Sequence, residues 1–199
     1  MAHSGRWLLV IASVSLFAFM GGIFTQEVRS MGNLHENALA EALMYSKDYI
    51  QESQSLIMDI LQETDGSDTR QGLQTLTADL SAAGRLMRII AQLDPLHDES
   101  WSAMHSALFT AVNTVQQVGK ELTDDHGLTE AGEQQIQRVN RLLQHIDRAL
   151  PVTVTRGARP KIQLSDEMLQ QAAEEARDFD HAQQILSGGG AFYTPIWLE

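Results

Sequence analysis

Apolar residues recur along most of this chain at alternating steps of three and four, the spacing that lines one side of an α-helix. Residues about 30–63 place Leu39, Leu43, Ile50, Ile57 and Ile60 on such a seam, with Ser46 and Ser53 interrupting it. Residues about 69–93 carry Leu73, Leu76, Leu80, Ala83, Met87 and Ile90. Residues about 99–122 repeat the rule with Trp101, Met104, Leu108, Ala111, Val115, Val118 and Leu122. Residues about 130–150 do so with Ile136, Val139, Leu143, Ile146 and Leu150. Seams of this kind suit knobs-into-holes packing between neighbouring helices.

Polar and glycine-rich breaks fall between these segments. Asp65-Gly66-Ser67-Asp68 is a turn that supplies N-cap side chains. Pro95 stops the second helix, and Asp98 is placed to cap the third. Gly127 offers a C-terminal left-handed position, Thr129 with Glu130 opens the fourth helix, and Pro151 ends it. Linkers this short force consecutive helices antiparallel, so residues 27–150 are expected to form an up-down four-helix bundle.

The pattern then changes. Residues 152–163, VTVTRGARPKIQ, begin with β-branched alternation and read as an extended crossover, with a short edge strand as the alternative. Ser165 caps a fifth helix carrying Leu169, Ala172, Ala176, Phe179 and Leu186, so residues 151–187 are read as crossover plus helix. Residues 188–199 are a glycine-hinged tail rich in aromatic and aliphatic side chains.

The N-terminus has a different signature. After a stub at residues 1–6, the run from Trp7 to Phe24 has no charged residue. Its 18 positions would span about 27 Å as a helix, close to the hydrocarbon thickness of a bilayer. The run is long for a signal-peptide core, and no A-x-A-like site ends it, so an uncleaved transmembrane anchor is expected at 7–24. The fold class expected is therefore all-α: a transmembrane helix followed by an antiparallel bundle of four to five helices, with a short extended segment near 152–163. A short N-terminal stub before a long domain implies a single-pass protein of the cell membrane, N-terminus cytoplasmic and main domain extracytoplasmic. Ala18 and Gly22 form a small-xxx-small pair that offers a route to a homodimer.

Charge narrows the partners. All 26 Asp and Glu follow residue 26, against 13 of the 14 Lys and Arg, which leaves residues 27–199 at −13. Such a surface repels phosphate backbones, so nucleic acid is not an expected partner. The absence of cysteine removes disulfides, thiolate metal sites and cysteine nucleophiles.

Catalytic and metal chemistry find little footing. Glu174, Asp178 and His181 share a helix face, and Asp178-x-x-His181 imitates half of a carboxylate-bridged dimetal motif, but no second copy exists. His35-Glu36 lacks the second histidine of a zincin, and His97, His105, His126 and His145 show no ligand spacing. There is no G-x-S-x-G elbow, S-x-x-K pair or phosphate loop. No cofactor, metal or enzymatic activity is expected.

Three features are candidate interaction sites. Phe192, Tyr193, Ile196, Trp197 and Leu198 either fold back on the bundle or bind a partner. Arg156, Arg159 and Lys161 concentrate basic charge in the crossover. Ser46 and Ser53 mark a polar pocket between helices. The expected function is a non-catalytic, membrane-anchored scaffold or accessory protein whose partners are the bilayer, through residues 7–24, and another envelope protein. The alternative is a ligand-sensing extracytoplasmic domain that signals through a partner subunit.

Overall fold

A computed structural model of the chain describes residues 34–63, 65–122, 127–150, 152–153, 161–162 and 164–186. Two compact units divide the chain, Met1–Ala38 and Leu39–Glu199, and the bundle is the second. The helices of the described residues are α1 (34–62), α2 (Gly66–Leu93), α3 (Asp98–Glu121), α4 (Glu130–Ala149) and α5 (Asp166–Leu186).

Capping chemistry sets most of the helix starts. The Asp65 side chain accepts from the backbone N–H groups of Ser67 and Asp68, opening α2. Thr129 accepts from Gly132 N–H at 3.1 Å to open α4. Ser165 Oγ receives Met168 N–H at the start of α5. The start of α3 differs from expectation. The helix begins one residue early on His97, whose carbonyl accepts from Ser100 and Trp101, while Asp98 lies in the first turn and accepts from Ser102 Oγ.

Long-range contacts give the helix order. Lys47 of α1 donates to Leu150 O at 2.6 Å, and Gln51 donates to Asp147 at 3.1 Å, tying α1 to the end of α4. Ile60 of α1 lies over Gly72 of α2. Further on, α2 packs on α3 and α3 on α4. Helix α5 lies against both α3 and α4. It runs parallel to α3, since Asp166 meets His97 and Asp180 meets Ser106; it runs antiparallel to α4, since Gln183 meets Gln135 and Glu175 meets His145.

The seams converge on one core. Leu43, Ile50, Leu76, Leu80, Met87, Trp101, Met104, Leu108, Ile136 and Leu143 are all essentially inaccessible to solvent, and Leu169, Ala172 and Ala176 of α5 join them. An all-α bundle of five helices is what the periodicity builds.

Between α4 and α5 the chain turns back rather than crossing over. Val152–Thr153 (β1) pairs antiparallel with Lys161–Ile162 (β2), Val152 opposite Ile162 and Thr153 opposite Lys161. A returning ribbon leaves α5 to start at the end where α4 stops, which explains why α5 runs antiparallel to α4.

The membrane reading is corrected. Among the described residues no helix is long and apolar enough to cross a membrane. A spanning helix must be apolar around its whole circumference for about 20 residues. The helices here are apolar along one stripe, and that stripe is spent on the bundle core. The expected anchor at 7–24 lies outside the described residues, as do Ala18 and Gly22. The transmembrane segment, the single-pass and extracytoplasmic placement, the bilayer and envelope partners, and the anchored-scaffold and ectodomain-sensor functions built on them are not retained.

Candidate functional site

Two polar constellations stand out on the bundle, and they differ in kind. The first closes the end where α2, α3 and α5 meet. Asp94, the residue that ends α2, is nearly buried. Its Oδ2 accepts from the indole Nε1 of wholly buried Trp101 at 2.9 Å and from His97 Nδ1 at 2.8 Å. The other ring nitrogen, His97 Nε2, reaches Asp166 Oδ1 at 3.1 Å, so one imidazole links three helix ends. Both nitrogens can donate only when the ring is protonated. Burial works to lower the His97 pKa, but the hydrogen bond and charge of Asp94, and then those of Asp166, outweigh it. The net result is a pKa above the ordinary 6.5.

That cluster is built to hold structure. Asp94 Oδ2 takes two donors, and both imidazole nitrogens are engaged in joining helix ends. In the sequence His97 shows no ligand spacing, and its partner Asp166 is 69 positions away.

The second constellation is a groove of about 320 Å³ on the outer side of the α2–α3 pair. Gly119 lies at its floor, over the buried core residues Leu73 and Val115. Gly119 leaves the floor open: a Cβ there would meet nothing nearer than Leu73 Cδ1 at 3.9 Å. Gln74, Thr77 and Gln116 line the sides. Arg70 and Lys120 stand at the end where α2 begins and α3 stops. Arg70 also donates to Leu122 O at 3.3 Å, which fixes the guanidinium beside the α3 C-terminus. Apolar floor, amide walls and cationic end together suit an apolar side chain flanked by acidic ones. Nothing in the sequence flags this groove, since it arises only when two antiparallel helices bring Leu73 opposite Gly119.

The expected site residues fall elsewhere. Ser46 and Ser53 are wholly buried within the core, and neither hydroxyl has a hydrogen-bond partner. Lys161 lies in β2, paired through its backbone with Thr153. Arg156, Arg159, Phe192, Tyr193, Ile196, Trp197 and Leu198 lie outside the described residues. Glu174, Asp178 and His181 are exposed on α5, with Glu174 accepting from Gln170. Among the described residues no three His, Cys, Asp or Glu side chains gather where they could hold a metal ion. No known protein family, curated protein or solved structure matches the chain.

Proposed function

We propose that the chain is a non-catalytic binding module whose working surface is the α2–α3 groove. Its occupant is a protein segment that seats an apolar side chain over Gly119 and turns acidic groups toward Arg70 and Lys120. The groove itself carries the reading: it sets two cations beside an apolar floor on a chain of net charge −12. On an acidic chain these cations help fix where an acidic partner docks as well as how tightly. The non-catalytic part rests on the use of the polar groups, since the Asp94–His97–Asp166 cluster is engaged in joining helices.

The test is quantitative capture of partner proteins on the purified chain, comparing wild type with Lys120→Gln and Gly119→Leu. Lys120→Gln removes one cation, and Gly119→Leu fills the groove from a position where a Cβ meets only Leu73 Cδ1, at an ordinary 3.9 Å. The proposal expects both to lose the same partner while helix content and thermal stability hold. A partner retained by Gly119→Leu would reject the groove. A turnover found in the wild type and lost in folded His97→Gln would reject the non-catalytic reading.

A further inference from the structure

Hydroxyls inside a helix ordinarily satisfy themselves on the carbonyl four residues back. Thr69, Thr77, Ser81 and Thr114 do so here, at 2.7 to 2.9 Å. Ser46 and Ser53 do not, although both are fully buried. Among the described residues, five buried side-chain polar atoms lack a partner: Ser46 Oγ, Ser53 Oγ, Gln54 Nε2, Asn140 Oδ1 and Asp180 Oδ1. Three belong to α1. Asn140 of α4 lies two turns before Asp147, on the side of α4 that receives Lys47 and Gln51 of α1. Four of the five thus sit on α1 or on the side of α4 that faces it.

The apolar contacts of α1 are also shallower. Between Leu39 and residue 62, α1 fully buries four large apolar side chains, Leu43, Ile50, Ile57 and Ile60, while Leu39, Tyr49, Leu56 and Leu61 pack against the core only partly buried. Helix α3 buries Trp101, Met104, Leu108, Val112, Val115 and Val118 over a similar length. Direct polar ties from α1 to α4 come from Lys47 and Gln51, at partly exposed positions. Meanwhile α2, α3, α4 and α5 remain joined to one another through their own contacts.

We infer that α1 is a releasable element, which undocks as a unit while α2–α5 stay folded and so uncovers the apolar seam of its neighbours. Each buried, unpartnered group regains water when α1 leaves, so the seam is weakest where these groups lie. The groove between α2 and α3 does not involve α1, and the inference stands apart from the binding reading.

Native-state hydrogen exchange on the full chain tests it. Amides of residues 43–60 should exchange at least about tenfold faster than those of α3, with a smaller denaturant dependence. The pair Ser46→Ala and Ser53→Ala should slow exchange in α1 by about tenfold or more. Ser55→Ala, at an exposed position of the same helix, should slow it by about threefold or less. Ala173→Gly in α5, which packs on α3 and α4, should speed α3 but leave α1 unchanged. The inference is overturned if α1 and α3 share one rate and one denaturant dependence. An Ala173→Gly variant that speeds α1 as much as α3, or an α1 rate indifferent to the paired serine change, also overturns it.

Discussion

The Asp94→Ala substitution probes the densest piece of polar chemistry in the bundle. Trp101 is fully buried, and its indole N–H has Asp94 Oδ2 at 2.9 Å as its partner. Removing the carboxylate leaves that donor in the core with nothing to bond, a loss of about 1–3 kcal/mol. His97 loses its 2.8 Å contact as well, but the ring is partly exposed and water replaces much of that loss. A net destabilisation of about 2 kcal/mol is therefore expected. For a domain of this size that is a fall in Tm of about 4–8 °C. Thermal melts followed by circular dichroism are the right assay, because Trp7 and Trp197 also contribute to the fluorescence. Trp101→Phe and the double substitution complete a cycle that isolates the pair, with an expected coupling of about 1 kcal/mol or more. A Tm for Asp94→Ala within a degree of wild type, or a coupling near zero, would refute the reasoning.

Other outcomes follow from the same geometry. Because the His97 pKa is raised on folding, its contribution is complete below the ordinary value of 6.5 and is lost as pH rises through the raised value. The stability difference between wild type and His97→Gln should thus be larger in melts at pH 6 than in melts at pH 9, and a pH-independent difference would contradict the bridge. The Asp79 carboxyl is pushed above 3.8, by burial first and then by the charge of Glu52, so its ionised form destabilises the fold at neutral pH. Asp79→Asn should raise stability slightly in urea denaturation at pH 7, and the gain should vanish as pH falls below 3.8. Two helix glycines should respond in opposite directions. Gly72→Ala would put a Cβ 2.7 Å from Cγ1 of buried Ile60 and should destabilise by about 1–2 kcal/mol, whereas Gly119→Ala meets only Leu73 Cδ1, at an ordinary 3.9 Å, and should stabilise by about 0.5–1 kcal/mol, both read by urea denaturation.

How much of this was legible in the sequence depends on the range of the interaction. The seams of α2, α3 and α4 could be written down directly, because helical period is local and the bundle buries nearly every residue it picks out. Asp65 and Thr129 announce their helices for the same reason, since a cap acts over three residues. A strand at 152–163 was legible only as the alternative to a crossover, because β-branched alternation signals extended chain without saying what pairs with it; only the register of Val152 with Ile162 does. Asp98 was misplaced as a cap because the competing pull on His97, from Asp94 and Asp166, comes from two other helices. The apolar run at 7–24 invited a membrane reading that the described helices, each apolar on one side, do not carry. The α2–α3 groove is invisible in one dimension, because Leu73 and Gly119 become neighbours only after the hairpin forms.

The account rests on the groove as the working surface, and a photo-activated crosslinking residue placed at Gln116 examines it most directly. Gln116 is exposed on the groove wall, and Glu174 on the outer side of α5 is a matched exposed control. The expected result is one specific crosslinked partner from position 116, diminished by Lys120→Gln and absent from position 174. Equal capture at both positions, or capture at 116 that Lys120→Gln leaves untouched, would contradict the account.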